Sequence, residues 1–327
     1  MTTRVMWRWM SRACLLLAAG LAVGCGAQPA GEGAAEKGAE GPAKPRIALI
    51  MKSLANEFFK TMEEGARGHH AAHEDDYVLL AEGIKNETDV NRQVRLVEQM
   101  MAQNVDGIVI APADSKALVS VCKKAMDAGI VVVNIDNKFD EAVLEDAGVH
   151  IPFVGPNNRA GAKKVGDYLA QHLETGAPVA IIEGVPTAFN AIQRKQGFED
   201  AMKEAGLKVV ASQSADWHTD KANKVVAALI ADHPELKALL CANDNMALGA
   251  VAALRTAGKL DEIKVVGFDN INAVQELVKR GDIVATADQH ADQLAVFGIE
   301  YALDMLGGKG TPEDRETPVD LITAESL

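Results

Sequence analysis

Four short polar clusters stand directly after apolar runs: Lys52-Ser53-Leu54-Ala55-Asn56, Asp136-Asn137-Lys138, Asn243-Asp244-Asn245 and Asp269-Asn270. A carboxylate accepts hydrogen bonds from two donors at once, and an amide both donates and accepts, so such residues brought together can hold a polar ligand. Asp136 and Asp269 could also serve as an acid and base pair. Each cluster taken singly has a plainer reading, because Asn and Asp cap helices and form turns through local backbone bonds. Recurrence after several strands is what favours a shared site, since ligands of open parallel sheets sit beyond the carboxyl ends of the strands.

The surrounding pattern supplies those strands. From Arg46 onward, apolar runs alternate with helical stretches: Arg46 to Met51 then Asn56 to His73, Tyr77 to Ala81 then Asp89 to Gln103, Gly107 to Ala111 then Lys116 to Ala128, and Ile130 to Ile135. The runs are continuous rather than alternating in polarity, which predicts parallel strands covered by helices on both faces. In the second helix Val90, Val94, Val97 and Met101 are spaced to form the buried stripe. After a break at Gly155-Pro156-Asn157-Asn158 the rhythm restarts with a helix from Arg159 to Leu173. Strands Val179 to Glu183, Lys208 to Ala215, Ala238 to Ala242 and Lys264 to Phe268 follow, separated by helices Ala191 to Ala205, Asp220 to His233 and Met246 to Ala257. Gly129, Gly206 and Gly258 each close a helical stretch, where a left-handed residue ends the helix. The fold class is therefore α/β, with each half expected to be a doubly wound parallel sheet.

Ahead of this body, Arg4, Arg8 and Arg12 precede an apolar run over residues 13–25 that ends on small residues and Cys25. The run is too short to span a bilayer and has the layout of a cleaved export signal over residues 1–24. Its end resembles a bacterial lipobox, which would make Cys25 an acylated first residue and place the protein in the periplasm or cell envelope. Residues 25–45 then form the lipid anchor and a Gly-, Ala-, Glu-, Lys- and Pro-rich linker with no apolar periodicity. Losing three arginines with the signal makes the mature chain more acidic than the -13 of the whole sequence. That balance argues against a nucleic-acid partner, which requires clustered Lys and Arg. Cys122 and Cys241, in different elements, are expected to remain unpaired. His69, His70 and His73 read as surface histidines rather than a metal site, and no phosphate-binding loop or nucleophile elbow is present. Neither cofactor nor metal is expected.

Five segments carry a resemblance: Ile47-Ala48-Leu49-Ile50 with Asn56-Glu57-Phe58-Phe59; Val133-Asn134-Ile135-Asp136; Arg194-Lys195-Gln196-Gly197-Phe198; Asn243-Asp244-Asn245-Met246-Ala247-Leu248-Gly249-Ala250; and Val265-Val266-Gly267-Phe268-Asp269. Together, and in this order, they resemble the periplasmic sugar-binding proteins of ribose-binding type that feed ABC importers. The last two segments alone would also fit the effector-binding core of lactose-repressor-type regulators, whose DNA-binding headpiece is replaced here by the export signal. The resemblance implies the type I periplasmic binding protein fold, two parallel-sheet lobes joined by a three-strand hinge. With crossovers near Gly155, Gln289 and Asp320, one lobe takes residues 46–154 plus 290–319 and the other 155–289 plus 320–327. It also implies a monomeric binder, not an enzyme, that closes on a neutral monosaccharide or polyol and hands it to a permease in the inner membrane. A subunit presenting sugar to a chemoreceptor or histidine kinase is the alternative, with a periplasmic sugar-modifying enzyme behind it.

By the same resemblance Asn56, Asp136, Asn243, Asp269 and Gln289 hydrogen-bond sugar hydroxyls, while Phe58, Phe59, Trp217 and Phe268 cover the ring's apolar faces. Arg194 matches the family's arginine. The departures bear on specificity: Asn137 stands where ribose-type proteins place an arginine, and Ile192 where they place a second one, leaving Phe189 and Asn190 to line that wall. Lys52 replaces a small polar residue and either enters the cleft or lies in solvent.

Overall fold

The computed structural model describes residues 43–327. The expected export signal, the expected acylation at Cys25 and the expected linker up to residue 42 fall outside the described residues. The first half runs β1 (Arg46–Ser53), α1 (Glu57–Ala72), β2 (Val78–Ile84), α2 (Val90–Ala102), β3 (Gly107–Ile110), α3 (Val119–Asp127), β4 (Val131–Ile135), α4 (Glu141–Ala147) and β5 (Phe153–Pro156). Alternate side chains of β1 meet different helices, as the two-residue period of a strand requires. Ile47, Leu49 and Met51 share a core with Phe59 and Met62 of α1, whereas Ala48 and Ile50 face Leu96 and Val97 of α2 and Cys122 of α3. Burial on both faces is why these strands read as unbroken apolar runs.

The second half contains α5 (Asn158–Ala170), β6 (Pro178–Glu183), α6 (Phe189–Glu204), β7 (Lys208–Ser214), α7 (Thr219–Asp232), β8 (Ala238–Cys241), α8 (Asp244–Thr256), β9 (Lys264–Val266) and α9 (Asn272–Arg280). β10 (Thr286–Asp288), α10 (Ala291–Leu306), β11 (Arg315–Thr317) and β12 (Asp320–Ile322) complete the chain. The first parallel sheet has the order β11-β5-β4-β3-β1-β2 and the second β7-β6-β8-β9; β10 and β12 pair antiparallel. The chain is thus α/β with two parallel sheets. After β5 it leaves the first sheet, and it returns when α10 packs on α1 and on strands β1, β3 and β4 before β11 pairs with β5.

Two local expectations need correction. In α2 the buried residues are Gln93, Leu96, Val97 and Met100, while Val90, Val94 and Met101 are half-buried. The stripe turns toward Gln93 because its amide is fully employed: Nε2 donates to Ala111 O at 2.8 Å and Oε1 accepts from Ala113 N–H at 2.7 Å, satisfying backbone beyond the end of β3. His69 and His70 are half-buried rather than exposed, packing against Tyr77, whose hydroxyl lies 2.9 Å from His69 Nδ1. Cys122 and Cys241 are buried and free.

Candidate functional site

After β1 and β8 one asparagine both caps the following helix and lines the space between the sheets. Asn56 caps α1, its Oδ1 accepting from Phe58 N–H at 3.1 Å, while its Nδ2 donates to Glu87 Oε1 at 2.8 Å. Asn243 caps α8 in the same way, accepting from Met246 N–H at 2.9 Å. The oxygen of each amide holds the helix start, while the nitrogen of Asn56 binds its fellow lining residue Glu87. Asp136, Trp217 and Asp269 adopt positive φ angles of 61°, 69° and 127°. Such backbone is uncommon for residues other than glycine, and here it occurs at three residues that surround one cavity.

The space among these side chains comes to about 220 Å³, open solvent included. Lys52, Asn56, Phe58, Phe59, Glu87 and Asp136 line it from the side of the first sheet. Asn190, Arg194, Trp217, Asn243 and Asp269 line it from the second, with Gln289 at the crossing between them. None of the polar ones is more than 7% exposed, so the two walls are closed over the space. An open groove shared with Asn56, Glu87 and Trp217 leads outward from it.

Ionisable groups are dense in this space: the carboxyls of Glu87, Asp136 and Asp269 stand with Lys52 and Arg194. Lys52 Nζ lies 2.8 Å from Asp136 Oδ2 but off the line of a hydrogen bond, so that oxygen is paired by charge and still lacks a donor. Arg194 is fixed at both ends: Nε donates to Asn158 Oδ1 at 2.7 Å and Nη1 to Ala242 O at 2.8 Å. Its guanidinium sits 3.8 Å over the Phe268 ring and 5.6 Å from the Trp217 ring, a cation held between two aromatic faces. Gly197, in the next turn of α6, permits this placement: a Cβ there would overlap the Arg159 carbonyl, so only glycine lets α6 approach α5 closely enough for Arg194 to reach Asn158. Asp269 Oδ1 accepts from Gln289 Nε2 at 2.8 Å and, more distantly, from Arg194 Nη1 at 3.4 Å. Burial raises the Asp269 carboxyl well above the ordinary range despite Arg194, and raises Glu87 despite Lys52 and the Asn56 amide.

Three candidate residues, Asn137, Phe189 and Phe268, stand outside the lining. Asn137 is fully buried beneath the wall: Nδ2 donates to Pro112 O at 2.9 Å and Oδ1 accepts from Asn190 N–H at 3.1 Å. Phe268 supports Arg194 from behind. Ile192, at the position of the missing second arginine, is 42% exposed, and Asn190 beside it does line the cavity. Glu87 is absent from the sequence candidates. It follows β2, whose apolar run stops at Ala81 although the strand continues through Ile84, so its position just past a strand end is hidden.

Residues 47–310 match the family model described as a periplasmic binding protein domain. The D-ribose/D-allose-binding protein of Pseudomonas aeruginosa is 57% identical over 88% of this chain and 91% of its own length. A solved ABC transporter solute-binding protein from Burkholderia multivorans, holding an unknown ligand assigned as α-D-erythrofuranose, is 56% identical with a TM-score of 0.84, covering 86% of this chain and 100% of that one. Another, from Actinobacillus succinogenes with bound D-allose, is 35% identical with a TM-score of 0.82 over 86% of this chain and 99% of that one. The chain belongs to the periplasmic binding protein family, to its sugar-binding members of ribose type, and has their type I fold.

Proposed function

We propose that this protein is the solute-binding component of an ABC importer and captures one neutral monosaccharide, D-ribose or D-allose being the leading ligands, by closing two lobes over it. The observation that carries the reading is the unfilled hydrogen-bonding capacity of a closed cavity: Asp136 Oδ2, Asn190 Oδ1 and Gln289 Oε1 are buried acceptors with no donor among the described residues. Buried acceptors left unpaired cost about 1–3 kcal/mol each, a cost that a bound molecule rich in donors relieves. Hydroxyls of a sugar provide them. A sugar phosphate is disfavoured because its charge would enter the same poorly solvated space that raises the Glu87 and Asp269 carboxyls.

The lobes would be residues 46–154 plus 290–319 and residues 155–289 plus 320–327. The placement of α10 and β11 with the first sheet and of α5 against β9, β10 and β12 supports that division. Acylated Cys25 would tether a monomeric receptor at the envelope, and the permease would read the closed form. The relatives are named as binding proteins, and nothing about the cavity calls for bond breaking. A thermal-shift screen of the purified protein against pentoses, hexoses and polyols tests the ligand class, because a tight ligand raises the melting temperature by mass action. Ribose, allose or a close stereoisomer should give the largest rise; no rise with any monosaccharide or polyol would overturn the reading.

A further inference from the structure

Helix α6 begins without a cap of its own. Its N-cap position is Ala188, which offers no side-chain acceptor, although the first amides of a helix need partners that Ser, Thr, Asp or Asn ordinarily supply. The acceptors come from the opposite sheet instead. Phe189 N–H donates to Ser115 Oγ at 2.9 Å, and Asn190 N–H to Asn137 Oδ1 at 3.1 Å. Helix α9 repeats the arrangement: its N-cap is Ile271, and Asn272 N–H donates to Glu57 Oε1 of α1 at 3.0 Å. None of Ser115, Asn137 and Glu57 lines the cavity. Ser115 and Asn137 are braced together, the serine hydroxyl donating to Asn137 Oδ1 at 3.3 Å while Asn137 Nδ2 is held by Pro112 O.

We infer that Ser115, Asn137 and Glu57 are closure residues, which cap α6 and α9 across the cleft and thereby set the closed fraction of the protein without touching the ligand. This rests on the two-lobe closing reading above. When the lobes part, three helix-start amides lose their side-chain acceptors and turn to water, so the contacts exist only in the closed form. A ligand that needs the closed form binds with an apparent affinity scaled by the fraction already able to close. Loss of a cross-cleft cap must therefore weaken every ligand by the same factor, whereas loss of a residue that touches sugar changes the ratio between ligands.

The test is calorimetric titration of D-ribose and D-allose into the wild type, Ser115→Ala, Glu57→Ala, Glu57→Gln and the Ser115→Ala/Glu57→Ala double variant, with solution scattering of each at saturation. Each alanine variant should weaken both sugars by one common factor, roughly threefold to tenfold, and speed their release. The two factors should multiply, since the caps serve separate helices. Glu57→Gln, which keeps an acceptor, should retain most of the affinity. Unliganded melting temperatures serve as the folding control, and half-buried Glu57 remains informative if the change at buried Ser115 disturbs packing. A double variant within twofold of wild type for both sugars, or unequal factors for the two, would overturn the inference while leaving the binding reading intact. A wild type that binds neither sugar, or binds without compacting, would overturn both.

Discussion

Lys52 Nζ lies 2.8 Å from Asp136 Oδ2, and each side chain is 2% exposed. Two opposite charges so fully removed from water depend on each other, because removing one partner of a buried pair typically costs about 3–5 kcal/mol. The lysine takes the place of a small polar residue in the ribose-type pattern, and the structure puts it in the cavity wall rather than in solvent. Lys52→Met should therefore lower sugar affinity by roughly a hundredfold or more, since Asp136 would have to be enclosed uncompensated on closure. Calorimetric titration checks this, and an affinity within threefold of wild type would contradict it.

Asp269 collects Gln289 and Arg194 around one carboxylate at the end of β9. Asp269→Ala removes a charged acceptor from a closed cleft, and affinity should fall by roughly thirtyfold to a thousandfold, or about 2–4 kcal/mol. The carboxylate adds little to either core, so the unliganded variant should melt near the wild-type temperature while losing the rise that sugar produces.

Glu87 tests the part of the site that sequence reasoning missed. Its Oε1 accepts from Asn56 Nδ2, and its carboxyl is raised by burial. Glu87→Ala should cost roughly tenfold or more in affinity, while Glu87→Gln, which keeps both an acceptor and the shape, should cost less. Equal losses for the two substitutions would show that the carboxylate itself, and neither volume nor a single neutral acceptor, matters there.

The reason Glu87 is hidden applies more widely. Where a strand is buried on both faces, as in β3, β4 and β8, the apolar run and the strand end within a residue of each other, and the residues that follow are visible as candidates. β2 lies at the sheet edge and carries Glu82 and Gly83 inside the strand, so its polarity changes before its backbone does. Asn137 shows the converse. It follows Asp136 directly, but the φ of 61° at Asp136 turns the chain, and the neighbouring amide points beneath the wall to Pro112. No periodicity distinguishes these two outcomes. Beyond Phe268, β10, β11 and β12 have three residues each, too few to establish a pattern, and α10 is buried between α1 and the first sheet, so apolar residues surround most of it.

Asp244 supplies a pH prediction. Burial pushes its carboxyl up to about 7, although Thr286 Oγ1 and the Ile271 amide both donate to it. Gly267 is part of the reason it fits, since a Cβ there would overlap Asp244 Oδ1. In the unfolded chain the group returns to its ordinary value of 3.8, so between that pH and about 7 the folded state binds the extra proton. Stability from this group is therefore greatest at low pH within the window and is lost as pH rises through it. Relative to Asp244→Asn, the wild type should melt at a progressively lower temperature between about pH 4 and about pH 7. A gap that does not change with pH would contradict the assignment.

The central claim is that the closed cavity between the two sheets takes a neutral monosaccharide. Calorimetric titration of the purified protein with D-ribose, D-allose and the corresponding sugar phosphates addresses it most directly. The account predicts one site per chain for at least one of the two neutral sugars, with a dissociation constant of roughly a micromolar or tighter, and no measurable binding of the phosphates. Absence of heat with both neutral sugars, or tighter binding of a sugar phosphate than of its parent sugar, would contradict it.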